Sequence, residues 1–576
     1  MSSHDRRGGV CAAALALLWT VLPAAHGADA PAAGGTAAAA PAGEAAAAAE
    51  DASAQQLEVL RNTLVNILEA LVEKGLLTRA QADQIVKQAQ SKAAADAAVA
   101  AARAAAQAAQ EKGAVRVPYV PQFIQNEIAK KVAQQVQPAV TAAVVARAKK
   151  EGWGIPGALP DWVRRLTVFG DVTVREQNDI YAKDNKPYTI PDYNAINQYG
   201  GFSLVPGVYA FLDTTGNRNR FRERARLGVQ ADITSNITAF IRLASGSLVD
   251  PGSESQTFGT YAERWSVGFD QAYIVWNSSP APHLSGASIQ AGRIPNPWFA
   301  PTELVYARDL TFEGAAGTLR WGWGAGGDNR SQLYLTGGGF PMLEIPLVNQ
   351  DNKWLVGGQV GVNLHFSDEQ FLRTGAAYYD FLHVTGIYNP PYSTFYNFTA
   401  PAFERTGNTV FDIADQPNNP TVQLWALAAH FRIADLAATY EYDLRRYSFS
   451  LTGEAVRNIG YNREQVESLS GQTIPSNQNH GYVGEISFGD SFVGTIRALQ
   501  WRLALGYRYA QADAVLDAWT DADFHEGGTN AAGYYFWGTL GVARNTWLRL
   551  RYLSGNEITG PRYGLDIIQF DLNTRF

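Results

Sequence analysis

Cysteine is nearly absent. The one thiol, Cys11, precedes an apolar stretch near the N-terminus, so the rest of the chain can form no disulfide. Methionine is scarce too, two in 576 residues, which is low for a helical core. Only 18% of residues are charged and the formal net charge is -7, which leaves no electrostatic footprint for nucleic acid. Beyond residue 27 no run of about twenty strongly apolar residues occurs, so no membrane-spanning helix is expected. The eight histidines are scattered, without a His-Glu-x-x-His or a paired ligand spacing, and no metal or cofactor is expected. Gly337-Gly338-Gly339 lacks the Lys-Ser/Thr of a phosphate loop and reads as a turn.

What is abundant is glycine and aromatic residues: 54 Gly, 26 Tyr, 26 Phe and 14 Trp, a composition that favours many strands and turns. The N-terminus reads as an export signal over residues 1–27, with Arg6 and Arg7, an apolar stretch from Cys11 to Leu22, and small residues around Ala25-His26-Gly27. Residues 28–51 have the Ala/Gly/Pro composition of a disordered linker. Over 52–150 apolar residues recur at helical spacing, first in Leu57, Leu60, Leu64, Ile67, Leu68 and Leu71, later in Phe123, Ile124, Ile128, Val132 and Val136. A helical or coiled-coil arm is expected there, either packed on itself as a hairpin or serving as an oligomerising stalk.

After Trp162 the period changes from helical to two. In Arg164 to Arg175, Leu166, Val168, Val172 and Val174 share one face, and Thr167, Asp171, Thr173 and Arg175 share the other. Arg220 to Ile233 alternates most clearly, with Phe221, Ala225, Leu227 and Val229 opposite Arg220, Arg222, Arg224 and Arg226. Comparable segments span 236–245, 264–276, 287–293, 309–323, 331–340, 353–366 and 369–384. Others span 421–433, 435–449, 478–489, 495–510, 532–544, 545–554 and 562–576, sixteen in all. Alternate links are very short (Thr234-Ser235, Ser367-Asp368, Ala434, Arg544-Asn545), whereas 178–219, 385–420 and 450–477 are long. Tight turns at one end and long loops at the other are the pattern of outer-membrane barrels.

The predicted fold is therefore all-β: over 162–576, a closed antiparallel transmembrane barrel of about 16 strands. A ten-residue strand rises about 33 Å and, tilted near 45°, covers about 24 Å of membrane normal, which fits the apolar band of such barrels. Tyr273, Trp276, Trp298, Trp321, Trp323, Tyr507, Tyr509, Tyr535, Trp537 and Trp547 fall near strand ends, where they would form an interfacial girdle or fill cross-strand pairs.

The final strand resembles the closing strand of bacterial outer-membrane proteins: Ile568, Phe570, Leu572, Thr574 and Phe576 share one face. The resemblance implies that Phe570, Leu572 and Phe576 form a signal for the barrel-assembly machinery. A second resemblance covers most of the chain. Leu166-Thr167-Val168-Phe169-Gly170-Asp171, the stretch Asn219 to Gly228, and Gly292-Arg293-Ile294-Pro295-Asn296-Pro297-Trp298 look like the putative-porin family of proteobacteria. Val117-Pro118-Tyr119-Val120-Pro121 and Leu159-Pro160-Asp161-Trp162 are similar to that family's helical arm. Membership implies an outer-membrane pore surrounded by lipids and lipopolysaccharide, with the arm in the periplasm, and it supplies no solute.

Strand parity supplies candidates for the water-filled interior. With Phe221 and Leu227 facing lipid, Arg220, Arg222, Arg224 and Arg226 must face inward, because Arg against lipid at mid-bilayer costs about 2 to 4 kcal/mol. Arg242, Arg549 and Arg551 join them by the same test, with Asp171, Asp309, Glu313, Glu441 and Asp443 as inward acids. Such a wall filters solutes by charge or merely braces the barrel with ion pairs. The third long link, Pro295 to Val305, contains Asn296, Trp298 and Phe299 and either folds in as a constriction or caps the surface. Asp521, Asp523, His525 and Glu526 read as a solvated acidic loop rather than a Ca²⁺ site.

Two functions of different class fit these features. One is a porin for passive diffusion of small polar or charged solutes. The other is a barrel-anchored tether or adhesin whose arm contacts peptidoglycan. Association into a homotrimer is compatible with either. Enzymatic chemistry finds no paired residues to carry it, and an energy-coupled receptor would need a mixed α/β plug in place of the Ala-rich arm.

Overall fold

A computed structural model describes residues 161–576 apart from 208–209, 280–283, 324–330 and 493. The signal, linker and helical arm expected over 1–150 lie outside the described residues. Within them the chain is almost entirely β. The first barrel strands are β1 (Leu166–Tyr181), β2 (Arg218–Asp232), β3 (Ile237–Ser245) and β4 (Val267–Asn277). Next come β5 (Gly286–Pro295), β6 (Thr311–Trp323), β7 (Ser331–Leu343) and β8 (Lys353–Ser367). They are followed by β9 (Gln370–Leu382), β10 (Phe431–Leu444), β11 (Tyr447–Asn458) and β12 (His480–Gly489). The last four are β13 (Trp501–Ala510), β14 (Ala531–Ala543), β15 (Thr546–Glu557) and β16 (Gly564–Arg575).

Each strand pairs antiparallel with the next, and β16 pairs back to β1 in the register Asp171↔Arg575 to Tyr181↔Leu565. The sheet is thus closed by sixteen strands, with no free edge. Parity sorts the side chains. On β10 the outward Leu436 is 61% exposed and its inward neighbour Asp435 is buried. On β13 the outward Leu505 is 59% exposed and the inward Arg508 is buried. An exposed apolar exterior is the reverse of a soluble protein and suits surrounding hydrocarbon.

Alternate links differ in length as the sequence indicated. Residues 368–369, 445–446 and 544–545 are two-residue turns at one end, while 182–217, 383–430 and 459–479 are long loops at the other. One turn was misplaced by sequence reading. Ala434 lies inside β10, paired with Tyr378 and Arg457, and the turn is at Arg445-Arg446, where Arg445 has φ 61°. The expected strand 421–433 is largely loop. Its apolar run instead forms a short hairpin, Trp425–Leu427 on Val410–Asp412, and buries Ala426, Leu427, Ala428 and Ala429 inside the barrel. The count of sixteen survives because the two displaced segments shift together onto β10 and β11.

The largest apolar core lies within the barrel. Loops 296–310, 383–430, 459–479 and 511–530 contribute Tyr306, Ile413, Val466 and Val515, among others. They pack on inward residues of the β7–β13 wall, including Phe340, Leu355, Tyr379, Ile433 and Val456. Short helices Tyr193–Tyr199 and Arg463–Ser470 lie in the first and sixth loops, N-capped by Asp192 and Asn462. A smaller apolar cluster with Tyr181, Phe524, Leu553, Leu565 and Ile567 lies at the long-loop end of β1, β15 and β16, and further from the loops the β1–β3 and β15–β16 wall is polar.

Candidate functional site

The polar side is built on β2. Its two-residue period turns Arg220, Arg222, Arg224 and Arg226 inward in a column, and strand β1 and the loops after β3 and β5 supply counter-ions. Arg220 reaches Asp179 at 2.9 Å. Arg226 reaches Asp171 at 2.8 Å and Glu254 at 3.2 Å. Arg224 reaches Asp309 at 3.0 Å and Asp171 at 3.3 Å. On β3, Arg242 pairs with Asp270 and lies 3.5 Å from Glu254. Across the seam, Arg175 holds Asp571 at 2.7 Å and Asp523 at 2.9 Å, and Arg551 also holds Asp523. Guanidiniums partly removed from water need such partners, since an unpaired buried charge costs several kcal/mol. Arg549 differs: among the described residues it has no carboxylate within ion-pair distance, and instead donates to Thr539 and lies 4.9 Å over the Trp537 ring.

The sequence candidates divide. Asp171, Arg175, Arg220, Arg222, Arg224, Arg226, Arg242, Arg549 and Arg551 lie on one inner wall. Asp309 joins them from a different element, because β6 begins at Thr311 and Asp309 sits in loop 296–310. Glu313 is a correction. It shares outward parity with Leu319 and Trp323, is 64% exposed, and pairs with Arg293 at 2.7 Å near the long-loop end of β6, where the two edge a cavity with Phe312 and Phe340 and not the arginine wall. Phe312, one residue earlier, takes the inward position and is buried. Glu441 and Asp443 have inward parity but are exposed near the short-turn end of β10, away from the arginine wall.

The girdle aromatics divide as well. Trp276, Trp323, Tyr507 and Tyr509 face outward, but Tyr535 and Trp537 line an interior cavity and Tyr273 stacks on the inward Phe240 at 4.8 Å. Position along a strand gives depth; parity decides the side.

Loop 296–310 crosses the lumen. Asn296 Oδ1 accepts from Trp298 N–H, and the Trp298 ring packs against Tyr379 at 5.4 Å and Phe340 at 6.2 Å. Trp298 is therefore a core residue and not part of the girdle. Phe299 N–H donates to Gln359 Oε1 at 2.7 Å while Gln359 Nε2 donates to Phe299 C=O at 2.9 Å. The Arg373 guanidinium covers the Phe299 ring at 4.3 Å. Thr302 N–H and Oγ1–H both reach Glu454 on β11. From there the loop returns to place Asp309 against Arg224 and Arg226. Burial would raise the Asp309 carboxyl, but Arg224, Arg226 and Arg308 hold it below the usual carboxylate range.

Loop 511–530 also folds inward, which corrects the expectation of a solvated acidic loop. Its acids do not converge on a cation; they reach separate partners. Asp521 lies 3.7 Å from Arg508. Glu526 accepts from Tyr181 and Tyr563 and lies 3.6 Å from Arg218 and Arg220. Partial removal from water would raise the Asp523 carboxyl, yet Arg175, Arg551 and Arg222 hold it well below its ordinary value. His525 is buried and held neutral, down to about 4, with Nε2 at 3.1 Å from Tyr563 C=O. Sequence reasoning missed Gln359, Glu454 and Arg508, and placed Asp523 in a solvated loop. The first three have inward parity and were legible in principle; a loop that folds inward leaves no periodic signal.

Between wall and loops lie two cavities of about 270 and 280 Å³. Arg220 and Arg222 line the one nearer the long loops, and Arg224, Arg226 and Arg242 line the deeper one. They share Ser253, Ala522 and Asp523.

Among solved structures, the fold is similar to the outer membrane channel DcaP of Acinetobacter baumannii at 10% identity, over 71% of this chain and 97% of that one, with a TM-score of 0.37. OprB of Pseudomonas putida is similar at 8% identity, over 72% and 95%, with a TM-score of 0.40. The anion-selective porin from Comamonas acidovorans is similar at 9% identity, over 71% and 99%, with a TM-score of 0.35. No curated protein matches the sequence. The model of the putative-porin family matches residues 61–576, nearly the whole chain and the entire barrel, so this protein belongs to the putative-porin family.

Proposed function

We propose that the channel passes small polar or charged solutes by passive diffusion along the arginine wall, with loops 296–310 and 511–530 as its constriction. The observation that carries this reading is the segregated interior. An apolar core fills the β7–β13 side, while guanidiniums and carboxylates face two contiguous cavities on the other. Arg220, Arg222, Arg224 and Arg226, with Asp171 and Asp309, set a transverse field that orients solutes and filters them by charge. Pro295, Asn296, Trp298 and Phe299 give loop 296–310 its fixed course. The outward Trp276, Trp323, Tyr507 and Tyr509 suit lipid and lipopolysaccharide headgroups, and Phe570, Leu572 and Phe576 present the apolar face expected by the assembly machinery.

Reversal potentials of the purified protein in planar bilayers under a salt gradient test the reading. The double variant Arg222→Glu/Arg224→Glu should shift selectivity towards cations. An unchanged reversal potential would remove these residues from the conduction path, and absence of conductance in the native protein would remove the channel itself.

A further inference from the structure

Asp523 occupies an unusual place for a loop carboxylate. Its oxygens accept from Arg175 Nη1 at 2.9 and 3.0 Å, from Arg551 Nη1, and from Gln569 Nε2 at 3.0 Å, with Arg222 at 4.0 Å. The three guanidiniums come from β1, β2 and β15, so the cradle belongs to the barrel wall and only its occupant belongs to the loop. Beyond its Cα, an aspartate side chain is an acetate group. The site therefore has the make-up of an oxyanion subsite, with charge-assisted donors from several directions and an amide, filled by the protein's own carboxylate.

The location gives this pairing a consequence for transport. Arg222 lines the cavity nearer the long loops, Arg175 and Arg551 line the deeper one, and Asp523 lines both. A solute passing between the cavities meets the cradle and its occupant. The backbone around the occupant is held in an unfavourable state: His525 and Glu526 have φ of 57° and 61°, followed by Gly527 and Gly528 at 93° and 94°. Two non-glycine residues in the left-handed region carry strain that persists only where surrounding contacts over-determine it. Here those contacts are Asp523 in its cradle and Glu526 between Tyr181 and Tyr563.

We propose that the Arg175–Arg222–Arg551 cradle is a carboxylate-binding subsite of the channel, and that Asp523 is its resident competitor, suppressing anion passage in the native protein. The proposal rests on the porin reading and names the solute class for that same passage. A carboxylate solute crosses by exchanging with Asp523 for the guanidiniums, so the loop acid sets the anion preference while the wall arginines supply the affinity.

Chemical rescue tests this with the whole barrel. Asp523→Ala leaves an acetate-sized gap, and its chloride-to-potassium permeability ratio should rise by roughly sevenfold, since one kT of local potential favours the anion and disfavours the cation by the same factor. Millimolar acetate should then return the ratio towards the native value in Asp523→Ala and leave the native channel unchanged. A native-like ratio in the variant, or equal acetate responses in both, would overturn the proposal. If the native protein conducts nothing, the porin reading fails first, so the two failures are distinguishable. Should Asp523→Ala not assemble, Ala522→Cys serves, since the only other cysteine is Cys11. Modification by a charged methanethiosulfonate should lower its conductance, and an unaffected current would place the solute path elsewhere and refute the subsite.

Discussion

Phe299 and Gln359 exchange two hydrogen bonds across the lumen, the loop amide and carbonyl meeting both ends of one buried side-chain amide. The backbone of loop 296–310 cannot find water at that point, and the inward Gln359 of β8 stands in for it.

Gln359→Ala should therefore release the loop. The substitution strands a buried N–H and C=O, at about 1 to 3 kcal/mol for each unsatisfied group, and Thr302 on Glu454 is left as the next anchor. The expected result is a noisier open-channel current from an intact barrel. Traces as quiet as those of the native channel would show that the Trp298 packing holds the loop unaided.

Loop 511–530 should respond to pH with opposite signs at its two ends. Burial pushes the Asp513 and Asp517 carboxyls up from 3.8 to about 7, against the hydrogen bonds they accept from Thr409 and Asn408. An acid raised on folding holds its proton more tightly when packed, so this contribution is greatest below about 4 and declines as pH climbs to about 7. His525 is lowered from 6.5 to about 4, so its end of the loop firms as pH rises through that window. Hydrogen exchange, corrected for intrinsic rates, should lose protection over 511–518 between pH 5 and 7, while the protection that His525 adds over 523–528, read against His525→Ala so that the raised carboxyls of Glu526 and Glu557 cancel, should grow. Protection moving in the same direction at both ends would contradict this assignment.

The parts of the fold that repeat every two residues were legible from the sequence: the closed barrel, its sixteen strands and the inward column from Arg220 to Arg226. What periodicity does not encode is where a loop goes once it leaves the wall. Trp298 near a strand end reads as an interfacial ring, and only Phe340 and Tyr379 opposite it make it a core residue. The run Trp425 to Ala429 alternates too weakly to declare itself loop, since an apolar stretch packs as readily inside a plugged lumen as against lipid. Glu313 stands among the candidate inward acids, yet Phe312 claims that face and Arg293 pairs with the acid near the rim. Asp523 reads locally as one of a cluster of loop acids, because its partners lie up to 348 residues away in sequence.

Closure places Phe576 beside Gly170. Gly170 N–H donates to Phe576 C=O at 3.1 Å and Phe576 N–H donates to Gly170 C=O at 3.0 Å, while the Phe576 ring, 65% exposed, continues the outward face of Phe570 and Leu572. Removing Phe576 deletes both seam bonds and the last ring of that face. Heat-modifiable, folded barrel recovered from outer membranes should fall severalfold. Native yield from the truncated chain would show that neither contributes to assembly.

The lipid-facing register has its sharpest test on β2, where adjacent positions differ in side and not in depth. Leu227 is half exposed on the outer face, and its neighbour Arg226 is bound to Asp171 inside. Leu227→Lys places an ammonium in hydrocarbon, at about 2 to 4 kcal/mol near the mid-bilayer and less towards the headgroups. Arg226→Lys keeps the charge in the aqueous interior and loses mainly the fork geometry that reaches both Asp171 and Glu254. Equilibrium unfolding from lipid vesicles in guanidinium should therefore separate the two, with the outward lysine much the more damaging. Equal penalties would mean that the outer face of β2 is not in contact with lipid.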